Sequence, residues 1–182
     1  MTGPGFRVLY DERMIQGRLN ALADDIARAM APDLIAIAIL KGSFIFAADL
    51  IRALHARGLS PHVDFMTLSS YGTATQSSGT VTLLRDAEID VRGQQVLLLD
   101  DILDSGRTLA FASRHLADKG AATVKTCVLL DKYAAKGNAL AKADFAAFAC
   151  PDDFVVGYGM DYAHMYRELP FVAVLDQKGV RD

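Results

Sequence analysis

Three carboxylates fall within five residues of the stretch VLLLDDILDSGRTL, at Asp100, Asp101 and Asp104, and Ser105, Gly106 and Thr108 follow at once. Like charges so closely spaced repel one another unless a metal ion, a hydroxylated ligand or a proton comes between them. The apolar run Val96 to Leu99 reads as a strand with Asp100 and Asp101 at its end, and RTLAFASRHLADKG reads as the helix that follows. The first N–H groups of a helix lack intrahelical partners. With the helix dipole and the Ser105 and Thr108 hydroxyls, they suit a phosphate, and Gly106 lets the backbone come close. A lone Asp-Ser-Gly would be a helix cap. Three acids beside a phosphate cradle fit a sugar phosphate instead, bound by its hydroxyls at one end and its phosphate at the other.

The elements that must position these groups alternate. Met14, Ile15, Leu19, Leu22, Ile26 and Met30 recur at helical spacing up to Pro32, so the chain is expected to open with an amphipathic helix. LIAIAIL (34–40) suits a buried strand, FIFAADLIRALHARG a helix ending at Gly58, and HVDFMTLSS a second strand. QVLLLDD, the helix after it and TVKTCVLLD repeat the unit. Strand, helix, strand is the unit of parallel sheets, so the fold class is α/β. In such sheets ligands sit at the carboxyl ends of strands, where the acidic turn lies. SSYGTATQSSGT (69–80) is small and polar and is expected to be a mobile loop. DFAAFA, FVVGY and FVAVL are three shorter strand candidates.

Composition narrows the function. The 182 residues suit one compact domain, 52% hydrophobic and 23% charged, with 19 basic against 22 acidic residues and no basic block. Nucleic acid is therefore not the expected partner. Cys127 and Cys150 lie far apart inside apolar runs and read as buried free thiols of a reducing compartment. No signal-peptide core or membrane span is recognisable, so a cytoplasmic protein without membrane partners is expected. His55, His62, His115 and His164 have no metal-ligand spacing.

VLLLDDILDSGRTL resembles the phosphoribosyl-diphosphate signature of the type I phosphoribosyltransferases, and the chain from about Leu34 to Leu175 is similar to their hypoxanthine-guanine branch in four separate motifs. The resemblance implies a twisted, mostly parallel sheet flanked by helices. It also implies a core of about 34–150 and a small hood made by the amino-terminal segment and about 151–182. It implies that Asp100 and Asp101 hold the ribose hydroxyls and that the backbone of Asp104, Ser105, Gly106, Arg107 and Thr108 wraps the 5-phosphate. Asp104 would exchange a proton at N7 of the purine.

LKGS (40–43) resembles the pyrophosphate loop, which assigns Lys41 and Gly42 to the leaving group and makes the Leu40–Lys41 peptide cis. Lys132, at the end of TVKTCVLLD, would meet the O6 carbonyl of hypoxanthine or guanine, since an ammonium has only donors to offer. PDDFVVGYGMDYAHMYRELPFVAVL matches the carboxyl-terminal segment of the branch. There Phe154 would stack on the purine, backbone near Val155 would bond its edge, Arg167 would grip pyrophosphate, and Asp161, with Asp100 and Asp101, would hold Mg2+. Ser70 and Tyr71 match the lid that shields the sugar centre from water.

The chain departs from the branch in two places. Its acidic pair is Asp-Asp rather than Glu-Asp, and Tyr133-Ala134-Ala135 stands where relatives often carry proline and arginines. The implied activity is transfer of phosphoribosyl from 5-phosphoribosyl 1-diphosphate to hypoxanthine or guanine, giving IMP or GMP and pyrophosphate, by a homodimer or homotetramer. The alternatives are a xanthine-preferring enzyme, a nucleic-acid-binding regulator that senses phosphoribosyl diphosphate, and, last, a receiver domain. Receivers carry their Asp pair near the start of the chain.

Overall fold

The computed structural model describes residues 5–73, 76–132 and 142–175, with backbone alone for 70–73 and 76–80. Its main sheet has six strands: β2 (Ile35–Leu40), β3 (His62–Thr73), β4 (Gln76–Arg85), β5 (Gln95–Leu103), β6 (Thr123–Asp131) and β7 (Phe145–Ala149), in the order β4-β3-β2-β5-β6-β7. All neighbours are parallel except β3 and β4. A smaller antiparallel sheet joins β1 (Phe6–Tyr10), β9 (Val172–Leu175) and β8 (Val155–Val156), in that order.

The central strands are apolar because both sheet faces are covered. Helix α1 (Glu12–Ala29) and helix α2 (Phe44–His55) bury Ile15, Leu19, Leu22, Phe46 and Leu50 against Ala36, Ala38, Leu97 and Leu99. On the opposite face, α3 (Arg107–Asp118) buries Leu109, Ala112 and Leu116 against Ile35, Ile37, Val96 and Leu98. Alanines of β2 thus meet two helices on one face while its isoleucines meet one helix on the other. Full burial of a leucine or phenylalanine contributes about 1.5–3 kcal/mol. Asp11 caps α1, its Oδ1 accepting from the Met14 N–H at 2.8 Å. After α2 the chain turns at Gly58, whose φ of 83° suits a residue without a Cβ.

The structure corrects three sequence expectations. Residues 69–73 and 76–80 are strand rather than loop: β3 runs on to Thr73 and pairs back through Ser70 opposite Val81 and Gly72 opposite Ser77. Small polar residues satisfy such a ladder through backbone alone, so their side chains gave no strand signal. The chain's described part opens with strand β1 ahead of α1. Helix α1 packs on α2 and β7, while β1 joins the smaller sheet with the strands of the carboxyl-terminal segment, as the resemblance implies. Asp100 and Asp101 lie within β5 rather than at its end, because pairing with β6 continues to Leu103 opposite Asp131.

Candidate active site

Three segments converge on Gly42. The chain leaves β2 through a cis Leu40–Lys41 peptide, in agreement with what the family resemblance implies. It turns over Lys41, Gly42 and Ser43 into α2, with the Phe44 N–H on the Lys41 carbonyl at 3.2 Å. Ser43 is fully buried and its hydroxyl donates to the Ile39 carbonyl at 2.5 Å, which ties the turn to the strand. A Cβ on Gly42 would lie 1.7 Å from Asp101 Oδ2, and a Cβ on Gly159 would lie 2.2 Å from the Gly42 carbonyl oxygen. The end of β5, the turn after β2 and the loop after β8 therefore touch through glycine backbone.

Asp100 is 6% exposed and Asp101 is half-buried. Burial pushes the Asp100 carboxyl well above the ordinary carboxylate range, and Asp101 beside it adds to the shift. Burial also raises Asp101, although Asp100, the backbone N–H groups of Asp101 and Ile102, and the Arg167 charge oppose it. Burial thus holds both carboxyls above the range of solvated acids.

Past Leu103 the backbone bends over Asp104 and Ser105 to Gly106, whose φ of 76° places it just ahead of α3. Gly106, at the start of α3, has no side chain of its own to cap the helix. The Ser105 hydroxyl accepts from the Arg107 N–H at a long 3.4 Å. Asp104, Ser105 and Arg107 are exposed, and Thr108 is partly so.

The loop between β8 and β9 is held in strained backbone: Tyr158, Ala163, His164 and Tyr166 all have positive φ, between 49° and 76°. Its own hydrogen bonds keep it there, from the Tyr158 N–H to the Leu169 carbonyl at 2.9 Å and from the Gly159 N–H to the Arg167 carbonyl at 3.0 Å. Arg167 Nη1 donates to the Gly159 carbonyl at 2.6 Å, and Nη2 reaches Asp161 Oδ1 at 2.6 Å. The Asp161 carboxylate also accepts from the His164 N–H at 2.8 Å. Phe154 is 43% exposed and meets Tyr162 edge to face, with ring centroids 5.8 Å apart. Val155 is buried in β8 opposite Val174.

Lys132 is nearly buried, and its N–H bonds to the Leu103 carbonyl at 3.0 Å, so it leaves the sheet next to the acidic turn. It lies near Cys150, whose thiol is pushed up by burial and drawn back by the Lys132 charge. Both cysteines are free and buried, as expected from sequence. The Ser70 and Tyr71 side chains and the residues Tyr133-Ala134-Ala135 lie outside the described residues. Asp100, Asp101 and Asp161 do not form a metal-holding cluster by themselves; among the described residues no three acidic, histidine or cysteine side chains do.

Sequence reasoning missed Asp49, Tyr158 and Tyr162. Tyr158 is 4% exposed and its hydroxyl donates to Asp49 on α2, which also takes Arg52. Burial and that carboxylate push the Tyr158 phenol well above its ordinary range. The one sequence signal was the pair of glycines, Gly157 and Gly159, that flank Tyr158.

A family model described as a phosphoribosyl transferase domain matches residues 9–163. The chain is 40% identical over 170 residues to the hypoxanthine-guanine phosphoribosyltransferase of Bacillus subtilis, across 93% of this chain and 92% of the relative. It is 38% identical over 168 residues to the hypoxanthine phosphoribosyltransferase of Escherichia coli, across 91% and 92% of the two chains. Among solved structures, the hypoxanthine phosphoribosyl transferase of Trypanosoma cruzi superposes with a TM-score of 0.88 at 35% identity, covering 98% of this chain and 95% of the other.

Proposed function

The chain belongs to the phosphoribosyl transferase family, and from that premise we propose that its site moves phosphoribosyl from 5-phosphoribosyl 1-diphosphate to N9 of hypoxanthine or guanine in purine salvage. The observation that carries the reading is the convergence at Gly42, where a carboxylate pair, a turn at a helix start and an Arg-bearing loop come into contact. The C1′–O bond to pyrophosphate breaks with its electron pair leaving on pyrophosphate, the N9–C1′ bond forms, and the purine gives up one proton. Asp104 takes that proton at N7. Asp100 and Asp101 hold the ribose hydroxyls, and their burial keeps water from competing for them. The amides from Asp104 to Thr108 hold the 5-phosphate, with the Arg107 side chain peripheral to the base.

Lys41, the Gly42 backbone and Arg167 take the pyrophosphate. Phe154, set at its angle by Tyr162, stacks on the base, and Lys132 selects a 6-oxo group. Ser70 and Tyr71 belong to the lid that keeps water from the sugar centre.

Asp161, Asp100 and Asp101 offer hard oxygen donors, which fit Mg2+ when substrate oxygens complete the shell, as one or two carboxylates with phosphates ordinarily do. Bound there, Mg2+ draws charge from the leaving pyrophosphate. A homodimer or homotetramer belongs to the same reading. Val63 and Phe65 of β3 share the face of Ala36 and Ala38 yet are 42% and 39% exposed. Among the described residues no helix is long and apolar enough to cross a membrane.

The test is incubation with 5-phosphoribosyl 1-diphosphate, Mg2+ and each of five bases in turn. IMP or GMP is expected to form and AMP is not. Xanthosine monophosphate alone would favour the xanthine reading. No nucleotide from any base, with retention of RNA in a filter-binding assay, would overturn the reading in favour of the regulator.

A further inference from the structure

Tyr158 and Asp49 are 109 residues apart in the chain and are joined by a hydrogen bond from the phenol to the carboxylate. Asp49 sits one turn into α2, the helix that starts directly after Lys41, Gly42 and Ser43. Tyr158 sits beside Gly159, whose backbone takes both an N–H bond to the Arg167 carbonyl and the Arg167 guanidinium. The bond therefore spans the two segments that carry the proposed pyrophosphate contacts. The close approach of Gly159 to the Gly42 carbonyl shows how little slack separates them.

Tyr158 also has a φ of 50°, an unfavourable backbone for a bulky residue, so something beyond local preference must hold it. A buried phenol bound to a carboxylate is a strong enough tie to do so. The Arg52 contact on the same carboxylate is largely solvent-exposed and adds little.

We propose that the Tyr158–Asp49 bond is a positioning clamp. It docks the loop of Asp161 and Arg167 onto the Lys41–Gly42 turn and so presets the pyrophosphate site before the substrate arrives. The inference rests on the assignment of Lys41, Gly42 and Arg167 to pyrophosphate. Neither residue touches the reacting atoms, so their effect passes through Arg167 and is felt by one substrate rather than both.

The experiment measures KM for 5-phosphoribosyl 1-diphosphate, KM for hypoxanthine, kcat and the thermal midpoint in four variants, well below the melting temperature. Tyr158→Phe is expected to raise KM for the diphosphate by about tenfold, the effect of one lost hydrogen bond to a charged group, and to leave KM for hypoxanthine unchanged. Asp49→Asn keeps an oxygen acceptor but loses its charge and is expected to fall between wild type and Tyr158→Phe, while Asp49→Ala should match Tyr158→Phe. Combined with Tyr158→Phe, Asp49→Ala should add nothing, since both remove the same bond.

A lower thermal midpoint with all kinetic constants unmoved would overturn the clamp, and so would additive losses in the double variant. Arg167→Gln in the same assay separates the two levels. If it raises KM for the diphosphate and Tyr158→Phe does not, the clamp alone fails. If Arg167→Gln has no effect, the pyrophosphate assignment fails and the clamp falls with it.

Discussion

Gly42 leaves no room for a side chain against Asp101: a Cβ there would sit 1.7 Å from Oδ2 and 2.6 Å from Cγ of that carboxylate. The neighbours are the buried stem of an acid and, across the turn, the Gly159 backbone, so little can give way. Gly42→Ala is expected to displace Asp101 or the turn by about an ångström and to lower kcat/KM by about 10²-fold. It should also cost about 1–3 kcal/mol of stability as an overpacked site. Steady-state kinetics with a denaturant titration checks both. Activity near wild type would mean that Asp101 and Gly42 are not held in register for substrate.

Asp104 is exposed just ahead of α3, where the proposed function has it act on the base. Asp104→Asn keeps the shape and removes the basic oxygen. Turnover is therefore expected to fall by about 10²- to 10⁴-fold, the usual range for a lost proton acceptor. Binding of the diphosphate, followed by equilibrium titration, should change little. Equal turnover in both proteins would remove Asp104 from proton transfer.

Lys132 is nearly buried at the end of β6 and offers only donors. Lys132→Met keeps length and removes the charge. Polar matching of this kind can discriminate by about 10⁴–10⁵, and the variant is expected to lose about 10²-fold or more of its preference for hypoxanthine over adenine. The ratio of kcat/KM for the two bases measures it. An unchanged ratio would place base selection elsewhere.

Asp64 gives the fold an acid-sensitive tie. Burial raises its carboxyl, but the N–H groups of Ile89, Phe65 and Glu88 outweigh that and hold it below the ordinary range. The Glu88 and Ile89 bonds, at 2.7 Å and 2.9 Å, fasten the segment after β4 to β3. A carboxyl whose folded value is depressed gives stability that is present above its unfolded value and is lost as pH falls through the folded one. Urea midpoints of wild type should therefore fall below about pH 4, and Asp64→Asn should start lower at neutral pH and slope less in acid. Parallel acid limbs for the two proteins would contradict this.

How much of this was legible in sequence depends on what each residue faces. Strands β2, β5 and β6 announce themselves because two covered faces demand unbroken apolar runs, and TVKTCVLLD has the bounds of β6. Helix α1 is equally plain from Met14 onward, although its first residues and the Asp11 cap carry no apolar spacing to announce them. Strand β4 starts among Gln, Ser, Gly and Thr, and its partner supplies only backbone, so composition points the wrong way. Strand β1 is short and half-exposed, and among the described residues its only ladder is with β9, far away in the sequence. In the site, the acid-rich turn is local and readable, whereas the Lys-Gly turn is legible only through the family resemblance. The Arg167–Asp161 ion pair and the Tyr158–Asp49 bond exist only once strained backbone folds back, and no spacing encodes them.

The smaller sheet unites residues from opposite termini, with Phe6 opposite Leu175 and Val155 opposite Val174. Strand β1 precedes its partner β9 by more than 150 residues in the sequence, so this pairing, which flanks the loop bearing Asp161 and Arg167, needs β9 to have been made. The six-stranded sheet has its strands in hand earlier. The strands of the main sheet thus precede in the sequence the partner strand that anchors the loop of Asp161 and Arg167.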